Sequence, residues 1–237
     1  MTKAGDVREA LAAASVASDI PALQRYFKTG PGQYGEGDVF IGVRVPAVRA
    51  VVRGFRDLDE NAIDELLDSP VHEHRLAALF VLVAQFGRAD PAARKRITTR
   101  YVAAVRRGRV NNWDLVDSSA EFILGEFLLD RPRGLLSDLA VSDSVWDRRT
   151  AIISTFAFIK HGDASTTLEI ADVLLTDPHD LVQKAVGWML REIGKRVDPV
   201  LLTRYLDDNA ERMPRTTLSY AIEHLSPDRR AHYRSLR

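Results

Sequence analysis

Five residues recur along this chain at nearly constant intervals, each near the start of an amphipathic segment. Arg75 precedes Asn112 by 37 residues, Asn112 precedes Arg149 by 37, Lys184 follows after 35 and Arg215 after 31. A period in this range, with two helices per unit, is the signature of a HEAT-like α-solenoid. One helix pair cannot bury its apolar stripe alone, so successive antiparallel pairs must stack. The second helix of each pair then lines a concave groove. Helices are expected over 5–17, 20–27, 46–56, 59–68, 72–86, 90–107, 112–129, 132–140, 144–161, 165–175, 178–195, 198–208, 212–224 and 227–236. Pro70, Pro91, Pro132, Pro178, Pro199, Pro214 and Pro227 punctuate them, because proline suits a first turn and not a helix interior. No segment alternates as a strand would. The expected fold is all-α, one solenoid domain spanning 1–237.

Residues 28–45 break this pattern. Gly30, Gly32, Gly35 and Gly37 fall within eight residues, which forbids a helix and predicts a turn-rich loop or short hairpin. No Gly-Lys-Ser/Thr follows, so a structural connector is a better reading than a phosphate cradle.

Charge narrows the partners only through its distribution. Lys and Arg number 33 and Asp and Glu 33, so net charge gives no global pull toward nucleic acid. Residues 57–74 nevertheless hold seven acids (Asp57, Asp59, Glu60, Asp64, Glu65, Asp68, Glu73) and no Lys or Arg. Residues 91–111 hold seven bases (Arg94, Lys95, Arg96, Arg100, Arg106, Arg107, Arg109) and no acid. Such segregation permits one strongly positive surface; the competing reading is a helix pair with solvated charged faces. No apolar run reaches membrane length and the polar start is no secretory signal, so a cytoplasmic monomer without membrane contact is expected. Zero cysteine excludes disulfides, thiol nucleophiles and Cys-based zinc sites. His72 and His74, two apart on a helix, point roughly 200° apart. The other histidines lack partners at ligand spacing, so no metal and no other cofactor is expected.

The stretch from Arg107 to Leu124 holds the chemistry. Asn112 is a good N-cap for a helix opening at Trp113, and Asp114 suits the positive end of its dipole. Trp113, Asp117, Ala120 and Leu124 share one face, with Asp117 at the border of the apolar stripe. A carboxylate there, one turn from an indole and just after a run of arginines, is a candidate for chemistry. Its competing reading is a structural ion pair with Arg149. Trp113 and Trp188 have a plain alternative as core residues, and Arg149, Lys184 and Arg215 as solvated ladder ends. Trp113, Asp117, Arg149, Lys184, Trp188 and Arg215 all lie in or near the repeat register, so an aromatic pair, a carboxylate and several cations would converge on one strip. No Ser-centred nucleophile elbow occurs, and Lys160 is only a weak candidate nucleophile.

Three segments resemble the AlkD family of DNA alkylation repair glycosylases. They are Asn112-Trp113-Asp114-Leu115-Val116-Asp117, Trp146-Asp147-Arg148-Arg149-Thr150-Ala151-Ile152 and Gln183-Lys184-Ala185-Val186-Gly187-Trp188. Phe40-Ile41-Gly42-Val43 with Pro46 and Arg49 is similar to the family's opening motif. The resemblance spans about residues 20–225. It implies that Asp117 is the catalytic aspartate, Trp113 and Trp188 the active-site tryptophans and Arg149 a DNA-contacting arginine. Arg148, Lys184, Arg215 and Arg109 would track the backbone. The implied reaction is removal of cationic N3- and N7-alkylpurines from duplex DNA, without extruding the damaged base into a pocket as other glycosylases do.

Residue chemistry agrees. An alkylated purine is already positive and leaves without a general acid, while the sugar becomes oxocarbenium-like. A carboxylate near C1′ stabilises that cation and orients water. Indole faces suit the electron-poor sugar, and arginines hold the flanking phosphates. Without a lysine nucleophile the enzyme would be monofunctional. Two other functions compete. A non-catalytic reader of branched or distorted DNA needs the cations but not Asp117, and a protein-interaction scaffold needs neither.

Overall fold

The computed structural model describes residues 3–236. Every regular element among them is helical, save an isolated parallel bridge between Val39 and Val71. The fold is all-α and solenoid-like, as the repeat predicts. Its helices form two compact units, Met1–Ser119 and Ala120–Arg237.

The first unit contains α1 (Ala4–Ala13), α2 (Ile20–Tyr26), α3 (Val45–Val52), α4 (Glu60–Leu67), α5 (His72–Arg88), α6 (Pro91–Arg106) and the short α7 (Trp113–Asp117). Its spine is α5, against which α1, α3, α4, α6 and α7 all pack. A helix surrounded this way must be apolar all round rather than along one stripe. The run Leu76-Ala77-Ala78-Leu79-Phe80-Val81-Leu82 is buried at every position. Residues 28–44 are a loop of turns, as expected. A Cβ at Gly35 would collide with the carbonyl oxygen of Phe27, so only glycine lets the loop lie this close to the end of α2.

The second unit contains a π turn (Glu121–Gly125), α8 (Gly134–Ala140), α9 (Val145–Ser154), α10 (Phe156–Lys160), α11 (Ser165–Val173), α12 (Asp180–Arg196), α13 (Pro199–Asn209), α14 (Arg215–Ala221) and α15 (Pro227–Ser235). Here α12 is the spine, packed by α9, α10, α11, α13 and α14. Proline starts behave as expected. Asp90, Asp198 and Ser226 cap α6, α13 and α15 with their side-chain oxygens, and proline follows each at the first helical position.

Two expectations fail for local reasons. The helix expected over 112–129 stops at Asp117. Ser119 Oγ donates to the Leu115 carbonyl at 2.6 Å, a back-bond that bends helices, and the chain continues through the π turn. The wider turn sets Gly125 so tightly against the Ser154 carbonyl that no side chain fits. The helix expected over 144–161 is likewise interrupted at Thr155, whose hydroxyl donates to the Ile152 carbonyl at 2.7 Å.

The two charge blocks meet each other. Arg100 pairs with Asp64 and Glu60, Arg96 with Glu60, and Arg107 and Arg109 with Asp68. The basic face of 91–111 is therefore largely matched by the acids of α4, in line with the helix-pair reading and against a strongly positive surface there.

Candidate active site

Helix α7 opens where the sequence caps it and closes at the Ser119 back-bond. Asn112 is extended (φ −148°) and fully buried, and its Oδ1 accepts the Trp113 amide at 2.9 Å. Asp114 Oδ1 accepts the Leu115 amide at 2.9 Å, placing an acid at the positive helix end. Leu115 and Val116 are wholly buried and anchor the helix. Trp113 and Asp117 are thereby set one turn apart on a common face, both half-buried.

Trp113 ends an aromatic column. Its ring stacks on Phe27 at 5.4 Å and 18°, Phe27 on Phe40 at 5.0 Å and 17°, and Phe40 on the His72 imidazole at 4.5 Å and 21°. Tyr26, 63% exposed, meets Trp113 edge-on at 5.6 Å. Each such pair adds roughly 0.5–1.5 kcal/mol beyond area burial, so Trp113 is held by Phe27 and Tyr26 directly and, through Phe27, by Phe40 and His72 behind it.

Beneath the column lies a buried ionic knot. His72 donates from Nδ1 to Asp38 Oδ2 at 3.0 Å and from Nε2 to Asp114 Oδ2 at 2.8 Å. Both ring nitrogens face carboxylates, so both carry protons. Burial alone would strip His72 of its charge, but the Asp114 charge and hydrogen bond, with those of Asp38, outweigh it and push its pKa up to about 9. Arg75 Nη2 reaches Asp38 Oδ1 at 2.5 Å, and Asn112 Nδ2 donates to Asp38 Oδ2 at 3.4 Å. Burial would raise the Asp38 pKa; the His72 hydrogen bond and the Arg75 charge hold it below the usual carboxylate range. Two anions and two cations close the knot. Beside it, buried Glu73 accepts the amides of Ile41, Gly42 and Val43 at 3.0–3.2 Å, pinning the end of the loop to α5.

The second unit holds Arg148, Arg149, Lys184, Trp188 and Arg215. Trp188 is half-buried, donates from Nε1 to Glu192 Oε1 at 3.3 Å and lies 5.8 Å from Phe156. Arg149 is 5% exposed and donates to the Leu181 carbonyl. Arg148 is occupied: Nε binds Asp177 at 2.6 Å and Nη1 the carbonyls of Ser142 and Asp143, each at 2.9 Å. A phosphate would have to displace Asp177 from it. Lys184 pairs with Asp180 at 2.8 Å, while Arg215 is exposed beside Arg234 along a cavity of about 210 Å³. Arg109, in the first unit, pairs with Asp68 at 3.2 Å.

The sequence does not single out Tyr26, Phe27 or Asp38, and it offers Phe40 only within a motif, His72 only as a metal ligand, Asp114 only as a helix-dipole partner and Glu73 only within an acidic run. The one available signal was Asp38 and Phe40 emerging together from the glycine-rich loop. Asp38's partners lie 34, 37 and 74 residues away, beyond any local pattern.

Among the described residues, no helix is long and apolar enough to cross a membrane. No curated protein matches the chain. A solved structure, a predicted DNA alkylation repair enzyme from Enterococcus faecalis, superposes with a TM-score of 0.69 at 14% identity, covering 90% of this chain and 97% of its own. At that identity the likeness establishes the fold. Residues 7–225 match the family model described as DNA alkylation repair enzyme. The chain therefore belongs to the DNA alkylation repair enzyme family, and its role lies in the repair of alkylated DNA.

Proposed function

We propose that the protein is a monofunctional DNA glycosylase that hydrolyses the N-glycosidic bond of cationic N3- and N7-alkylpurines in duplex DNA. One observation carries this: α7 presents an indole and a carboxylate one turn apart on the same half-buried face, with the indole braced by Tyr26 and Phe27, and Phe27 in turn by Phe40. The lesion's own positive charge makes the base a leaving group, so no acid is required. As the C1′–N bond lengthens, positive charge grows on the sugar. Asp117 stabilises that charge and orients the attacking water, while the face of Trp113 lies against the sugar. Trp188 takes the second sugar-facing role; exposed Arg215 holds a backbone phosphate, with Lys184 and Arg109 joining it once they exchange Asp180 and Asp68 for phosphate, whereas Arg149, 5% exposed, would have to leave the Leu181 carbonyl to do so. Lys160 is engaged in an ion pair with Glu121 rather than poised as a nucleophile, which favours a product that stays an abasic site.

Duplex containing 7-methylguanine or 3-methyladenine provides the test. Wild type should release free base, and Asp117→Asn should release it at least about a hundredfold more slowly. Absence of release by wild type, or undiminished release by Asp117→Asn, overturns the proposal. Tighter binding to junction DNA than to lesion duplex, without release, would identify a DNA-structure reader instead.

A further inference from the structure

We infer that His72 and Asp114 are positioning residues for base excision: the buried imidazolium, clamped between Asp38 and Asp114, fixes the orientation of Trp113 and of α7, and through α7 that of Asp117. The inference rests on the glycosylase reading for its catalytic consequence but not for its structural content.

Two independent routes run from His72 to the face of α7. One is polar. Asp114 spends one carboxylate oxygen on His72 Nε2 and the other on the Leu115 amide, so the imidazole is tied to the first turn of α7 through a single rigid side chain. Asn112, the cap of that turn, donates to Asp38, which holds the opposite ring nitrogen. The second route is the stack, from His72 through Phe40 and Phe27 to Trp113, with successive ring centres 4.5–5.4 Å apart. A charged ring at the foot of a stack attracts the aromatic face above it, and this attraction disappears when the ring is neutral. Both routes depend on the same proton.

The charged groups facing His72 are Asp38 from the loop and Asp114 from α7; Arg75, on the ring's own helix, occupies the other oxygen of Asp38. Asp38 keeps Arg75 and Asn112 as donors if Nδ1 is the nitrogen that loses its proton, but loss at Nε2 leaves Asp114 Oδ2 without one in a buried site, and either loss removes the ring's charge, so α7 must shift or admit water. Positioning errors on this scale matter, because about 1 Å of misplacement can cost on the order of a hundredfold in rate. His72 touches neither Trp113 nor Asp117 directly in this scheme. It acts through Asp114 and through Phe40 and Phe27.

Protein labelled with 5-fluorotryptophan tests this by ¹⁹F NMR, with the resonances of Trp113, Trp146 and Trp188 assigned by single Trp→Phe substitutions. In wild type the Trp113 resonance should titrate with a midpoint near the His72 value of about 9, and the other two should not follow it. Asp114→Asn removes one anion while keeping an acceptor, and should lower that midpoint by about one unit or more. It should also slow single-turnover base release by about tenfold or more while leaving DNA affinity within about twofold. His72→Gln, if it folds, should abolish the titration. A Trp113 resonance flat between pH 6 and 10, or Asp114→Asn that leaves both the midpoint and the rate unchanged, overturns the inference. If wild type releases no base, the glycosylase reading falls and the fluorine titration alone decides the positioning claim.

Discussion

The two units arrange their buried charge differently. The first concentrates it: Arg75, Asp38, His72 and Asp114 form one buried hydrogen-bonded chain, with Asn112 and Glu73 alongside. The second has an apolar centre, with residues 151–153 and 156–159 nearly or fully buried. Its buried acids are dispersed, each met by a cation that keeps some exposure, as in Arg148–Asp177 and Arg196–Glu192. A buried knot contributes little net stability while intact, because desolvation offsets attraction. It is costly to break, since each loss leaves an unpaired buried charge. An edge pair costs little either way. The difference teaches where single substitutions will matter and where function is coupled to protonation.

The largest effect should come from Asp38→Ala, which leaves His72 and Arg75 without their shared anion. Urea denaturation should show a loss of about 4 kcal/mol, and hydrogen exchange should place the loss in α5 and α7. If the exchange change instead falls in the second unit, the contrast fails.

The next effect is a dependence on pH. His72 is raised in the folded chain from an ordinary 6.5 to about 9. Its contribution is therefore complete below about 6.5 and is lost as pH climbs through about 9, amounting to something on the order of 3 kcal/mol. Thermal melts should fall across that window in wild type and fall less in Asp114→Asn.

Arg148→Ala and Arg215→Ala sharpen the comparison within the second unit. Arg148 neutralises the largely buried Asp177 and closes two carbonyls, so its loss should cost about 2 kcal/mol of stability. Its effect on DNA affinity should be small. Exposed Arg215 should behave inversely, with unchanged melting and a shallower salt dependence of DNA binding, by about one phosphate contact. Smallest of all, Arg107→Ala breaks a half-exposed pair with Asp68 and should change stability by less than about 0.5 kcal/mol. A larger value would mean that edge pairs in the first unit share in the buried network.

Much of this architecture can be read from the chain. Period, proline starts and the Asn112 cap predict the helices and the opening of α7, because each depends on neighbours within a turn or two. The acid and base blocks at 57–74 and 91–111 were open to two readings, and only the packing of α4 and α6 around α5 decides between them. The break after Asp117 is not legible because Ser118-Ser119 is compatible with a helix; Ser119 bonds locally to Leu115, but its approach to Tyr101 and the tightness at Gly125 are tertiary facts. From the sequence, His72 reads only as a metal ligand without a partner. Its carboxylate partners lie 34 residues before it and 42 after it, where no spacing rule reaches.

The glycine-rich loop is fastened at one end by Gly35 against Phe27 and at the other by Asp38 and Glu73, yet a side chain at Gly32 would meet nothing within 4 Å. The space is open, but φ at Gly32 is +73° and its amide is held by Glu36, so an insert has to leave Gly32 itself in place and join the outer arc beside it. That gives the protein a natural handle for surface attachment or single-molecule tracking on DNA, with Trp113 still braced beneath it.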